Sequence, residues 1–383
     1  INEAIREQLD RVAHSTMLGQ AGVPSIVLAK RLSDLLQRIP GKEPPLTRTF
    51  YSDSGSTSVE VALKMAFQYQ QQVGQTNRRR FAALTEAYHG DTIGSVSVGG
   101  IDLFHQIYRP LLFDAVRIPA PDRASTDEEK ECLQIARQKF ASYGSEIAAL
   151  VVEPLVQGAA GMRMHSVEYL QEIITMARSA GALVICDEVA VGFGRTGTMF
   201  AMEQVGVRPD IICLAKGISG GYLPLAATVV SDTIYDAFRA PYADYKTLFH
   251  GHTYTGNALC CAAALANLDI FETQQVIEGL PERVEALAAA LGRLPSQWVG
   301  EIRQKGMMAA AVMVHDRGAS ERIGHQVAMA ARNHGVVVRP LGDSIIFMPP
   351  LSMSIEEIAR LGHGVSQAMS DVLGSETDAL VAD

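Results

Sequence analysis

Apolar residues recur along this chain with two different spacings. Ile1, Ile5, Leu9 and Val12 fall one helical turn apart, as on one face of an amphipathic helix. Val59, Ala62, Leu63, Ala66 and Phe67 repeat that signature in a helix expected from about Ser58 to Val73, with Gly74 as its stop. Leu170, Ile173, Ile174 and Ala177 form a third such face, closed near Gly181. Between these lie short, wholly apolar runs: Phe81–Leu84, Ala148–Val152, Ala182–Cys186 and Ile211–Ala215. Runs so short and without alternation suit strands buried on both faces of a sheet. Strands alternating with helices predict an α/β protein with a mostly parallel central sheet. After about Phe271 the texture changes. Helical patterns at Val276–Leu291 and Glu321–His334 flank strand-like segments at Ala309–Val314, Val336–Arg339 and Ser344–Met348. The expected organisation is a large domain over 1–273 and a smaller α+β domain over 274–383.

Gly41–Pro45, Pro119–Glu129 and the tail from Gly374 read as loops or a frayed end. The length of 383 residues suits two or three domains and a core that needs no disulfide or metal. Hydrophobic residues at 48% and charged residues at 20% exclude wholesale disorder. The net charge of −9 argues against a general binder of nucleic acid or anionic membrane. Ala258–Leu268, the most apolar stretch, is too short to span a bilayer and contains Asn267. Cys132, Cys186, Cys213, Cys260 and Cys261 form no CxxC pattern. That points to a reducing, cytoplasmic compartment.

The chemistry gathers where predicted strands end. Glu153, Asp187 and Lys216 each close an apolar run and are followed by glycine-rich sequence. In open α/β sheets ligands collect beyond the carboxyl ends of the strands. A buried Asp there needs strong hydrogen bonds or a cationic partner, such as a pyridinium nitrogen or an arginine. A pyridinium held protonated by Asp187 is an electron sink. Lys216 lies 29 positions after Asp187, ahead of Gly217, Gly220 and Gly221. It is a candidate Schiff-base lysine whose pKa desolvation would lower, although an isolated lysine is more commonly a surface residue. Ser54-Gly55-Ser56-Thr57 precedes a helix, so its amides and hydroxyls form either an anion site for phosphate or an ordinary N-cap. Tyr88 is suited to stack on a planar ring or to pack in the core, and His89 by itself reads as structural. His250-Gly251-His252-Thr253 carries two histidines with no acid or thiol nearby to complete a zinc set, so a second phosphate contact is expected.

These segments together resemble the class III aminotransferases, pyridoxal-phosphate enzymes of fold type I. The carriers are the Gly-Ser turn, Asp187-Glu188-Val189 with GFGRTG behind it, and Lys216 after the next strand. SDSGSTSVEVALKMAFQY, AYHGDTIGSVSVGG, EPLVQGAAGM, HGHTYTGN and RPLGD are similar, within that class, to the biotin-biosynthetic branch. The resemblance implies transfer of an amino group, from S-adenosylmethionine or lysine, to 8-amino-7-oxononanoate. It also leaves another class III ω-amino acid or diamine activity as the alternative. By the same resemblance, Lys216 would hold pyridoxal 5'-phosphate and shuttle a proton, and Asp187 would pair with its ring nitrogen. Gly55 and Ser56 would bind its phosphate. Tyr88 and Val189 would cover the ring faces, and Glu153 and His89 would belong to the cofactor site. His252 and Thr253 would reach the phosphate of a neighbouring subunit in a homodimer with shared active sites. Tyr88, Lys216, Gly251 and Arg339 would contact substrate, Arg339 as a fork for a carboxylate.

The sequence departs from the family in two places. Members carry several dozen further N-terminal residues, including aromatics that wall the substrate pocket, whereas this sequence opens at Ile1 within a helical pattern. The natural start, and that part of the small domain, are therefore expected upstream. HGHTYTGN resembles the lysine-using members, where others have Pro in place of His252. A scaffold that binds no cofactor is opposed by the joint presence of Lys216, Asp187 and the phosphate turn. A metal hydrolase finds no ligand cluster of workable spacing.

Overall fold

The computed structural model describes residues 1–101, 106–122 and 126–374. The tail expected to fray beyond Gly374 lies outside them, as do residues 123–125 of the expected Pro119–Glu129 loop. The chain forms two compact units. One comprises Ile1–Gln157, His165–Phe193 and Phe200–Gln274; the other comprises Gly158–Met164, Gly194–Met199 and the chain from Gln275 onward. GFGRTG therefore passes from the first unit to the second after Phe193.

The first unit is organised by a seven-stranded sheet: β1 (Leu46–Ser52), β2 (Arg80–Leu84), β3 (Ala115–Ile118), β4 (Ile147–Val152), β5 (Leu183–Asp187), β6 (Ile211–Leu214) and β7 (Ala226–Ser231). Their spatial order is β1-β7-β6-β5-β4-β2-β3. The pairs β3–β2, β2–β4, β4–β5 and β5–β6 are parallel. β7 runs antiparallel to both of its neighbours. Topology explains that exception. A parallel crossover takes about a dozen or more residues, and the connection over 215–225 is too short for one. The chain must reverse there, and Lys216 sits at the start of the reversal. Every residue of β4 is completely buried, which is why Ala148–Val152 reads as an unbroken apolar run.

Helix Gly55–Gln72 begins three residues earlier than its apolar pattern suggests. Ser54 is its cap: the Ser54 hydroxyl accepts from Thr57 N, and Thr57 Oγ1 accepts from Ser54 N, at 3.3 and 3.0 Å. Thr228 Oγ1 donates to Ser58 O at 2.8 Å, pinning the first turn of this helix to β7. Helix Val167–Ser179 starts on a Ser166 cap and is followed by Gly181 at φ +80°. Helix Thr126–Tyr143 starts inside the segment expected as a loop, with Asp127, Glu128 and Glu129 in a first turn that favours negative charge.

The second unit has an antiparallel sheet of four strands: β8 (Val299–Lys305), β9 (Met308–Met313), β10 (Arg339–Leu341) and β11 (Ser344–Phe347), in the order β8-β9-β11-β10. Leu287, Leu291, Ala309, Ala311, Ile345, Phe347, Ile358 and Val365 are buried in its core. The expected strand Val336–Arg339 is corrected here, since only Arg339 belongs to a strand. The turn through Gly342 and Asp343 fixes the register, pairing Arg339 with Ile346 and Leu341 with Ser344. β11 is too short to hold Val336 and Val337 as well. Pro340 is tolerated because β10 is an edge.

Candidate active site

Asp187, at the end of β5, is 4% exposed. Its Oδ2 lies 2.8 Å from His89 Nδ1, and its Oδ1 accepts from Val189 N at 3.0 Å. The partner is thus a histidine rather than an arginine. An ionised Asp187 requires His89 to donate from Nδ1. That leaves His89 Nε2 buried and without a hydrogen bond. Glu153, also buried, closes β4 and accepts from Tyr88 N at 3.0 Å through Oε2. Two acids at the ends of β4 and β5 therefore hold the Tyr88–His89 segment that follows β2. The half-buried Tyr88 donates its hydroxyl to Asp91 Oδ2 at 2.9 Å. Glu188 takes a different part. It is completely buried and accepts from Ala201 N and Met202 N at 3.0 and 2.8 Å, capping the helix Ala201–Val205. Burial pushes its carboxyl up to about 8, against the pull of those two amides.

The Gly-Ser turn packs directly against this acid side. A Cβ on Gly55 would lie 2.5 Å from Val189 Cγ1, so only glycine lets the helix start that close. Amides in the first turn of a helix have no acceptor within it, which leaves those of Gly55 and Ser56 available to an anion. The hydroxyls are otherwise engaged. Ser54 and Thr57 bind one another, while Ser56 Oγ lies 2.7 Å from Thr92 Oγ1 and accepts from Thr92 N at 2.9 Å. An anion at this turn would therefore meet backbone amides more than hydroxyls.

Lys216 lies at the same end of the sheet. Asp187 pairs with Cys213 across β5 and β6, and Glu188 N donates to Cys213 O at 2.9 Å. Lys216 follows three residues later, with a left-handed φ of +45°. It is exposed in this chain. It opens a short 3-10 turn, Lys216–Ser219, whose Gly217 packs on Phe193.

His252 meets the turn from another direction. Its Nδ1 lies 3.5 Å from Asp53 Oδ2, next to the Ser54 cap, and its Nε2 is buried without a partner. Gly251 and Thr253 are exposed on the same loop. Asn257, at the end of HGHTYTGN, caps helix Ala258–Thr273 by accepting from Leu259 N and Cys260 N. Among the described residues no three His, Cys, Asp or Glu side chains gather as a metal site. Arg339 belongs to the second unit, exposed at the start of its edge strand. The structure thus joins Gly55, Ser56, Tyr88, His89, Glu153, Asp187 and Val189 through bonds and packing. Lys216 stands at the next strand end, and His252 is linked through Asp53. The missed element is the His89–Asp187 pair, whose partners are 98 positions apart and carry no local signal.

A family model described as "Aminotransferase class-III" matches residues 1–369. The chain is 54% identical to the adenosylmethionine-8-amino-7-oxononanoate aminotransferase of Nitratidesulfovibrio vulgaris, over 96% of this chain and 70% of that protein. It is 46% identical to the like-named protein of Geobacter sulfurreducens, over 98% of this chain and 84% of that one. Among solved structures, the like-named protein of Methanocaldococcus jannaschii superimposes with a TM-score of 0.89 at 39% identity, covering 97% of this chain and 84% of that one. An amine transaminase from an uncultivated Pseudomonas species, in its PLP-bound form, gives 0.89 at 34% identity, covering 97% and 86%.

Proposed function

This chain belongs to the class III aminotransferases, enzymes that move amino groups, and from that premise we propose that it aminates 8-amino-7-oxononanoate to 7,8-diaminononanoate in biotin biosynthesis. The observation that carries this reading is that relatives bearing that activity in their name match nearly the whole chain. The donor is S-adenosylmethionine or lysine.

The residues suit pyridoxal 5'-phosphate on grounds internal to the chain. A helix start held open by Gly55 suits a phosphate, a buried carboxylate suits a pyridinium nitrogen, and an exposed lysine suits an aldehyde. Bound there, the cofactor supplies an electron sink for the carbon that loses its proton. Gly55 and Ser56 would bind the phosphate through their amides. Asp187 would keep the ring nitrogen protonated, and His89 holds the Asp187 carboxylate in place at 2.8 Å. Tyr88 and Val189 would help hold the ring, with Glu153 fixing Tyr88 through its backbone amide. The Lys216 amine would attach the cofactor and, once displaced, would act as the general acid and base that takes the proton from the amino-bearing substrate carbon. Gly251 and Arg339 contact substrate. His252 and Thr253 serve the phosphate of a second subunit in a homodimer. A cytoplasmic setting fits five buried, unpaired cysteines, and no described helix is long and apolar enough to cross a membrane.

The test is the amino-donor half-reaction. S-adenosylmethionine or lysine should convert the coloured cofactor form to its aminated form, and mass spectrometry should find 7,8-diaminononanoate after the ketone is added. Rapid turnover with 4-aminobutyrate or ornithine alone would instead assign an ω-amino acid or diamine aminotransferase.

A further inference from the structure

Helix Ala258–Thr273 buries nine residues, eight of them Ala, Cys, Leu or Phe; the ninth is Asn267, 6% exposed. A buried amide on an apolar face is unfavourable unless its donors are used. Both contacts of the Asn267 amide fall on the turn after Lys216. Its Nδ2 donates to Gly217 O at 2.8 Å and to Ile218 O at 3.2 Å. The turn closes on the same side chain further along, since a Cβ on Gly220 would lie 2.7 Å from Asn267 Oδ1. Gly220 has φ +61° and donates back to Gly217 O at 3.2 Å. Asn267 is therefore wrapped by positions 217, 218 and 220. The residue just ahead of them, Lys216, has a left-handed φ that a side chain rarely adopts without outside restraint.

We propose that Asn267 is a positioning residue for Lys216: its amide holds the 216–220 turn and so fixes the backbone from which the lysine amine projects. The inference rests on the reading of Lys216 as the cofactor-attaching amine. The restraint has to come through the backbone, because the side chain itself is exposed and must stay free to move. An anchor 51 positions away in sequence, on a helix packed against the turn, provides it without touching the amine.

The experiment measures attachment directly. Apo protein is mixed with pyridoxal phosphate and quenched with borohydride at intervals, and label on the Lys216 peptide is read by mass spectrometry. The pH midpoint of the visible cofactor band is titrated alongside, and thermal unfolding of the apo protein reports folding. Asn267→Leu, similar in volume without donors, should slow labelling about tenfold and displace the band's midpoint. Asn267→Gln, which keeps the amide, should recover part of both. If Asn267→Leu does not fold, Asn267→Ser takes its place with the same expectation. Labelling at the wild-type rate with an unmoved midpoint overturns the proposal and leaves Asn267 as structural glue, even if unfolding occurs at lower temperature. Wild-type protein that takes no label at Lys216 overturns the cofactor reading instead.

Discussion

Asp187 and Lys216 end neighbouring strands of one sheet, but they are held in opposite ways. Asp187 is 4% exposed and fixed at both carboxylate oxygens, by His89 and by Val189 N. Lys216 is exposed, and what constrains it is the turn it opens. The difference suits the work proposed for each. A carboxylate that keeps a ring nitrogen protonated needs a permanent place in a low-dielectric setting, where charge-assisted bonds are strong. An amine that captures a cofactor, lets go and then carries a proton needs reach and freedom. Stability without cofactor should therefore separate the two. Asp187→Ala leaves a buried imidazole and the Val189 amide without their acceptor, and should lower apo stability by about 3–5 kcal/mol. Lys216→Ala removes an exposed side chain and should change it by no more than about 0.5 kcal/mol, while abolishing the visible band of the attached cofactor. Urea unfolding of both apo variants is the measurement. Equal losses would break the comparison, and a visible band surviving in Lys216→Ala would remove the lysine from its assigned place.

A second buried histidine sharpens the point about partners. His165 is 5% exposed against 2% for His89, and the groups that favour its protonated form are the backbone of Glu153 and Ser166, not a carboxylate. Burial lowers its pKa from the ordinary 6.5 to about 4, with the backbone of Glu153 and Ser166 pulling weakly the other way. The sign follows from proton counts. Between pH 6.5 and 4 the unfolded chain binds a proton at this position and the folded chain does not. The stability present above 6.5 is therefore lost progressively as pH falls towards 4, by about 3 kcal/mol. His165→Leu should flatten that acid limb while leaving stability at pH 7 little changed. A limb of undiminished slope in the variant would assign the acid sensitivity to other groups.

Much of the acid side was legible in the sequence because burial leaves a local trace. β4 and β5 read as apolar runs that end in Glu153 and Asp187, and the glycine beside Ser54 signalled a helix start. The start itself moved from Ser58 to Gly55, because a cap is set by hydrogen bonds and not by the apolar stripe. β1 went unread: it is an edge strand whose sequence, LTRTFYS, mixes polar and apolar residues. Pairings across long separations left no trace at all. His89 finds Asp187 only once β2, β4 and β5 lie side by side, and Asn267 looked like an interruption in an apolar helix until the Lys216 turn was seen against it. The short segments Gly158–Met164 and Gly194–Met199 belong to the second unit for the same non-local reason.

The smallest effect tests the comparison at the backbone, with one glycine from each side. Gly90, on the acid side, has φ +117°, and a Cβ there would lie 2.4 Å from both Cβ and Oγ of Ser56. Ser56 cannot simply step away, because its hydroxyl is bound to Thr92 and its amide belongs to the first helical turn. Gly221, on the lysine side, has φ +82° with nothing within 4 Å of a Cβ. Gly221→Ala should therefore incur only the conformational cost, about 1 kcal/mol. Gly90→Ala should incur a comparable conformational cost and a further ~1–3 kcal/mol of overpacking. The second readout is inorganic phosphate, which should stabilise apo wild type and Gly221→Ala alike, through the Gly55 and Ser56 amides. Gly90→Ala should lose most of that stabilisation, because the turn behind Ser56 has shifted. If phosphate stabilised both variants equally, the tight packing of this side would be structural and its link to anion binding would fail.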